Sequence, residues 1–322
     1  MFPATTATAD PGYGKLTRMN GPIHLLTTGG TIACTRDADG ALVPTMSARD
    51  LVAAAGMRDA EVTARDLTRL DSSSITLADL DHVLAAVREA IDHGASGVVL
   101  THGTDSLEDT ALALDLVHNS DVPVVLTGAQ RAFDHPEGDG RDNLLGAAAA
   151  AADPANRGRG VLVFFGGRLL PARGLIKTHT SDLIGFTLAG DAGPRPAPVA
   201  HEGLTGLRIP ILAAWPGAGA EFVDACLSPA APADGVVVEA LGSGNMGSAM
   251  GEGVARVLAA GVPTVISTRV PFGAVSLAYG GAGGGASLKA RGAIGAGVLS
   301  PGQARITLAT ALAAGVDPAG LF

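Results

Sequence analysis

Short runs that are apolar at nearly every position restrict this chain's fold more than any other feature. Gly97-Val98-Val99-Leu100 and Val122-Pro123-Val124-Val125-Leu126-Thr127 are two of them. A strand wetted on one face alternates polar and apolar residues. A strand covered on both faces does not, and such strands belong to parallel sheets flanked by helices. Amphipathic stretches separate the runs. Leu77, Leu80, Val83, Leu84, Val87 and Ile91 recur at helical spacing and mark one buried helix face. The alternation predicts an α/β fold. Strands are expected at Ile23–Thr28, Glu61–Leu67, Gly97–His102, Val122–Thr127, Val161–Phe165, Leu207–Ala213, Gly235–Ala240 and Val262–Ser267. Helices are expected at Ser47–Ala55, Leu77–His93, Leu107–His118, Asp139–Ala152, Ala220–Leu227, Met246–Ala260 and Pro301–Ala314.

Residues 187–210 break this pattern. Pro194, Pro196 and Pro198 stand there among glycine and alanine, and the stretch reads as an interdomain linker. The expected division is a disordered tail over 1–22, an N-terminal α/β domain over 23–190, a linker over 191–207 and a C-terminal α/β domain over 208–322. GVVLTHGTDSLEDTALALDLVHNSDVPVVLT on one side and GVVVEALGSGNMGSAMGEGVARVLAAGVPTVIS on the other both run strand, polar glycine loop, helix, Val-Pro, strand. Any βαβ unit gives that pattern, so two parallel layers follow whether or not the two units are a repeat.

Composition narrows the partners. Acidic residues outnumber basic ones, 31 to 22, for a net charge of −9, which disfavours a phosphate backbone. Aromatics are 3% of the chain, too few for a base-stacking platform. A small molecule is the expected partner, with no nucleic acid. No apolar run reaches the roughly 18 residues that span a bilayer, so no membrane is expected. Cys34 and Cys226 fit neither zinc spacing nor a disulfide framework. A reducing, cytoplasmic location is the expectation. The N-terminus lacks a charged start followed by an apolar stretch, so it does not read as a secretory signal, and Met19 is a candidate natural start.

Ligands of open parallel sheets bind beyond the carboxyl ends of the strands. Three loops leaving such ends carry reactive groups. In Thr27-Thr28-Gly29-Gly30-Thr31-Ile32-Ala33, two glycines allow close backbone approach and Thr31 presents a hydroxyl. Thr101-His102-Gly103-Thr104-Asp105 precedes a helix that Asp105 or Ser106 would cap. Asp71-Ser72-Ser73-Ser74 also precedes a helix, where capping is again the plain explanation. The 22 basic residues include only three lysines, Lys15, Lys177 and Lys289. Lysine, unlike arginine, can lose its proton when desolvated, which singles out Lys177 inside the fold. A hydroxyl nucleophile, a Thr–Lys–Asp relay and serine donors amount to acyl-transfer equipment.

TTGGTIA, THGTDSLEDTA, LTGAQR followed by DGRDNL, IKTHTSD and EALGSGN occur in this order. In this the chain resembles the bacterial L-asparaginase family, and its cytosolic actinobacterial branch most. The resemblance runs from about Ile23 onward. It implies two parallel-sheet α/β domains, a larger N-terminal one and a smaller, flavodoxin-like C-terminal one. It also implies hydrolysis of L-asparagine to L-aspartate and ammonia, with no cofactor and no metal, and allows a minor glutaminase activity, since one methylene in a pocket does not fix the preference for asparagine over glutamine. Carried onto this sequence, Thr31 is the nucleophile that forms an acyl-enzyme, and Thr104, Asp105 and Lys177 form a second triad. Asp105 grips the substrate ammonium and Ser72, beside Ser73, the carboxylate. Backbone N–H groups near Gly30 and Thr104 hold the oxyanion. Family sites are shared between subunits, so a homodimer or homotetramer is implied, with Asn245 of the partner subunit at the site. The segment Ala33–Thr45 is expected to be a mobile lid.

Two departures stand out. Many relatives carry a tyrosine on that lid, and here the matching position is near Ala41, with no tyrosine between Tyr13 and Tyr279. The secreted branch places a partner glutamate after RVPTGA. Here Arg269-Val270-Pro271-Phe272-Gly273-Ala274 leads to Tyr279 without an acid, and Tyr279 of the partner subunit is the candidate substitute.

Other readings compete. Gly242-Ser243-Gly244-Asn245-Met246-Gly247 satisfies GxGxxG and would suit an NAD(P)-binding protein, yet the strand after it ends in Ser267-Thr268-Arg269 with no acid for a ribose. A non-catalytic amide-binding protein on the same scaffold is another. The D subunit of archaeal glutamyl-tRNA amidotransferase shares the fold but needs a further domain before the motif that begins here at Thr28. The loop Asp134–Asp139 matches no metal motif, and Asp139 is expected to cap a helix. His102 reads as packing and Cys34 as a small buried residue.

Overall fold

The computed structural model describes residues 21–57 and 62–322. Of the expected tail over 1–22, residues 1–20 lie outside the described residues, as do the Met19 start, Tyr13, Lys15 and the strand start at Glu61; Gly21 and Pro22 are described, and their carbonyls accept from Ser96.

The first domain contains β1 (Ile23–Gly29), β2 (Cys34–Arg36), β3 (Leu42–Pro44), α1 (Ala48–Ala55), β4 (Val62–Leu70), α2 (Leu77–Asp92) and β5 (Gly97–Thr101). It continues through α3 (Leu107–Val117), β6 (Val124–Thr127), α4 (Gly140–Ala152), β7 (Val161–Phe165), β8 (Arg168–Pro171), β9 (Leu175–Lys177) and β10 (Phe186–Leu188). Its main sheet has the order β4-β1-β5-β6-β7-β8 and is parallel except for β8. The second domain contains β11 (Ile211–Ala213), α5 (Glu221–Asp224), β12 (Val236–Ala240), α6 (Ser248–Ala259), β13 (Thr264–Thr268), α7 (Gly285–Lys289), β14 (Ile294–Gly295) and α8 (Pro301–Ala314). Its four strands run β11-β12-β13-β14, all parallel. The fold is the α/β pair of parallel-sheet domains that the apolar runs imply.

β5 shows why those runs are continuous. Val98 and Leu100 enter a core with α2, α3 and α8, while Val99 enters another with α1 and α4. Both faces are dry, so apolar side chains fill Val98 to Leu100 without alternation, and Thr101 alone is polar. The first of these cores also holds Val237 and Val265 of the second sheet, so α8 packs against both domains. Three strands begin one residue or more later than the apolar pattern suggests, each behind a proline. Pro123, Pro210 and Pro263 cannot donate to the ladder, yet their carbonyls accept from Val98, Val237 and Val236. The expected strand Leu207–Ala213 therefore reduces to Ile211–Ala213. The hairpins β2–β3 and β9–β10, the edge strands β8 and β14, and α7 were not anticipated; each spans five residues or fewer, too short to show a period.

Between β10 and β11 the chain carries neither helix nor strand. It is held along α3 by Arg195, whose Nε donates to the buried Asp115 carboxylate at 2.8 Å. Among the described residues no helix is long and apolar enough to cross a membrane.

Candidate active site

Three loops meet above the carboxyl ends of β1, β4 and β5. Gly30, at φ +83°, lies so close to the β5 turn that a methyl group built on it would sit 2.5 Å from the Gly103 Cα. A methyl on Gly103 would in turn sit 2.4 Å from the Ser72 hydroxyl. Only glycine permits this approach. It sets Thr31, half-buried in the 3-10 turn Thr31–Ala33, beside the Thr104 turn and the Asp71–Ser74 segment.

Capping does not account for the second and third loops. The cap of α2 is Thr76, in a reciprocal box with Asp79, which leaves Ser72 free for other work. Ser72 is buried, and its hydroxyl accepts from Asp105 N–H at 3.1 Å. Ser106 occupies the cap position of α3 without a side-chain cap bond; its hydroxyl donates to the Ser72 carbonyl at 2.6 Å. Asp105 points elsewhere, to Lys177. Ser73 is exposed on the outer side of the same 3-10 turn.

Lys177 ends β9 and reaches back across the domain. Its Nζ donates to Thr104 Oγ1 at 2.8 Å and to Asp105 Oδ1 at 2.9 Å. Thr104 is buried, while Asp105 is more than half exposed, so one end of this relay is dry and the other open. The Lys177 backbone N–H donates to Glu108 Oε2 at 2.5 Å. Glu108 was not singled out from the sequence. An acid in a helix's first turn has an ordinary dipole explanation, and its use as an acceptor for a distant strand leaves no local signal. Burial pushes the Glu108 carboxyl above its usual range, opposed by its bonds to Lys177 N–H and Ser300 and by the Lys177 charge.

His102 supports the turn from below. It is fully buried, its Nδ1 lies 2.7 Å from the Gly103 carbonyl and its Nε2 3.0 Å from Thr110 Oγ1. Burial pulls its pKa down to about 4, so the ring is neutral and donates from Nδ1. Burial raises the Cys34 thiol, which keeps it protonated and a poor nucleophile.

The segment expected to form a lid folds as the hairpin β2–β3. Asp37 Oδ1 accepts from Asp39 and Ala41 N–H across its turn, and Arg36 N–H donates to Asp134 Oδ2 at 2.9 Å. The Asp134–Asp139 loop thus anchors the hairpin. Asp139 makes no side-chain cap; its carboxylate instead accepts from Gln130 N–H, Arg131 N–H and Asn143 Nδ2, correcting the expected role. The turn it holds already needs that acceptor. Among the described residues no group of three or more His, Cys, Asp or Glu side chains is placed to hold a metal.

Asn245 and Tyr279 lie apart from this cluster, in the second domain. Asn245 closes a bridge with Leu241, and Tyr279 is 63% exposed. Among the described residues neither hydrogen-bonds to Thr31, Ser72, Thr104 or Lys177. The GxGxxG stretch is not a dinucleotide cradle. Gly244 and Asn245 N–H donate to the Leu241 carbonyl and Met246 N–H to Gly283, so amides that a pyrophosphate would need are already engaged.

The convergence of Gly30, Ser72, Thr104, Asp105 and Lys177 is matched by likeness across nearly the whole chain. Residues 22–194 match the family model described as Asparaginase, N-terminal, and residues 208–321 the one described as Glutaminase/Asparaginase C-terminal domain. The chain belongs to the asparaginase family. A probable L-asparaginase of Deinococcus radiodurans is 37% identical over 313 residues, covering 92% of this chain and 94% of the relative. An L-asparaginase of Bacillus licheniformis is 30% identical, covering 92% and 96%. Among solved structures, a probable cytoplasmic L-asparaginase from Campylobacter jejuni superimposes with a TM-score of 0.82 at 28% identity, covering 93% of this chain and 97% of that one.

Proposed function

We propose that this protein is an L-asparaginase that hydrolyses the side-chain amide of L-asparagine through a threonine ester. One observation carries the reading: the Lys177 amine lies within hydrogen-bond distance of both Thr104 Oγ1 and Asp105 Oδ1, in a turn whose Gly103 lies against Gly30, the neighbour of Thr31. The names of the full-length relatives supply the substrate class.

In this account the Thr31 oxygen bonds to the amide carbon, and its proton passes to the departing nitrogen. Backbone N–H groups at Gly30 and Thr104 take the oxyanion, a donor of this kind contributing roughly 2.7–4 kcal/mol in a well-studied case. The C–N bond breaks, ammonia leaves and an aspartyl ester remains on Thr31. Thr104, whose oxygen accepts from the Lys177 amine and so gives up its own proton more readily, orients the water that cleaves the ester and regenerates the Thr31 hydroxyl. Asp105 takes the substrate ammonium and Ser72, with Ser73 nearby, its carboxylate. Neither a cofactor nor a metal enters any step.

The working particle is a homodimer or homotetramer. Val270, Phe272 and Tyr279 are large apolar side chains left exposed in the second domain, which supports association with another copy. Asn245 of the partner subunit and Tyr279 of the partner subunit then complete each site. The residues from 23 to 190 and from 208 to 322 act as the catalytic and completing domains.

The test is acid quenching during turnover of L-asparagine, followed by peptide mass mapping. An aspartyl adduct on the Thr31 peptide supports the reading; turnover with no adduct on any threonine under burst conditions contradicts the ester.

A further inference from the structure

A single wholly buried amide from the second domain joins the two chain segments that carry the Lys177–Thr104 pair. Gln303 lies in the first turn of α8 and is 0% exposed. Its Nε2 donates to the Ala172 carbonyl at 2.7 Å and to the Glu108 carbonyl at 3.2 Å, and its Oε1 accepts from Gly174 N–H at 2.9 Å. Ala172 and Gly174 lead directly into β9, which ends in Lys177. Glu108 lies four residues after Thr104, in the first turn of α3. One side chain therefore bridges the segment that delivers the amine and the segment that delivers the hydroxyl.

A second contact closes the frame. The Ser300 hydroxyl, which caps α8 by accepting from Gln303 N–H at 3.2 Å, donates to Glu108 Oε1 at 3.2 Å. The other Glu108 oxygen holds the Lys177 N–H. The frame is stiff, because Ala304, Ile306 and Leu308 are buried in the core that α8 shares with α3. Simple filling of an interdomain gap would need no amide. An apolar side chain of Gln303's size would pack there, but would leave two carbonyls and an N–H buried without this partner.

We propose that Gln303 is a positioning residue through which the second domain sets the separation between Lys177 and Thr104. It touches no substrate. It makes the docking of the two domains within one chain a condition of rapid turnover. The inference rests on the reading of Lys177 and Thr104 as the catalytic pair.

The test is steady-state ammonia release by the assembled Gln303→Met protein, alone and combined with Lys177→Met. The expected result for Gln303→Met is a kcat lowered by about 10- to 100-fold, the scale of a small misplacement of reacting groups, with KM within about threefold. In the Lys177→Met background the same change should lower the residual rate by less than about twofold, since its effect runs through that amine. A Gln303→Met enzyme with wild-type kcat overturns the proposal, as does an equal loss in both backgrounds, which marks a general structural defect. Should Gln303→Met fail to fold, Ser300→Ala removes only the hydroxyl end of the frame. A kcat loss that disappears beside Lys177→Met supports the proposal, and an unchanged kcat contradicts it. A fully active Lys177→Met protein instead sinks the catalytic reading, whereas an inactive Lys177→Met beside a fully active Gln303→Met sinks the positioning alone.

Discussion

The β5–α3–β6 and β12–α6–β13 units look alike in sequence, and the chain uses their turns in opposite ways. The turn after β5 turns its side chains outward to other segments. Thr104 and Asp105 meet Lys177, and the Asp105 N–H meets Ser72. The turn after β12 engages its backbone instead, through the Leu241–Asn245 bridge and through the Gly242 and Ser243 carbonyls, which accept from the Thr268 hydroxyl and Ser276 N–H. The helices differ too: α3 begins with Glu108 and Asp109, while α6 has no acid in its first turn. A strand–glycine turn–helix pattern thus fixes a place beyond the sheet. Whether that place does chemistry depends on what remote segments bring to it.

The difference is broken most severely by removing the remote amine. Lys177→Met should cut kcat for ammonia release by about 10³-fold or more, in the range of losses from removing a member of a catalytic triad; a loss below tenfold would show that the first turn works without it. Crowding the turns comes next. Gly30→Ala forces a methyl against Gly103 at 2.5 Å, whereas Gly242, at φ +53°, has open space around it. Gly30→Ala should lower kcat by about 10²-fold and depress Tm, while Gly242→Ala should cost only about 1 kcal/mol of stability. Equal effects on activity would erase the contrast. Ser72→Ala leaves the Asp105 N–H without its acceptor, and chemical denaturation should report a loss of about 1–3 kcal/mol.

The smallest effect is a pH slope from the acids that only α3 carries. Burial, with the Glu108 charge adding to it, lifts the Asp109 carboxyl from 3.8 to about 7. Between those values the folded chain holds a proton that the unfolded chain lacks. This contribution to stability is fully present below the unfolded value and is lost as pH rises through the folded one. Asp109→Asn removes the dependence, so its Tm relative to the unaltered protein should climb between about pH 4 and pH 7 and level off above. A difference that stays flat would contradict the shifted carboxyl.

Much of this arrangement could be read from the chain itself. Val98, Val99 and Leu100 announce a doubly covered strand because both faces of β5 are dry. Thr31, Thr104 and Lys177 stood out because glycine turns at strand ends and a rare lysine are local features. Glu108 and Gln303 did not. Each bonds residues at least 69 positions away, and no periodicity or motif records a contact of that range. Asp139 misled for a different reason: a helix start suggests a cap, while its carboxylate turns back to the N–H groups of Gln130 and Arg131 in the preceding turn.

The account stands or falls on ammonia release from L-asparagine by the assembled protein beside its Thr31→Ala and Thr104→Val variants. It predicts release by the unaltered chain and a loss of about 10³-fold or more in each variant. A correctly assembled, unaltered protein that leaves the amide intact, or variants that hydrolyse it at the same rate, would contradict it.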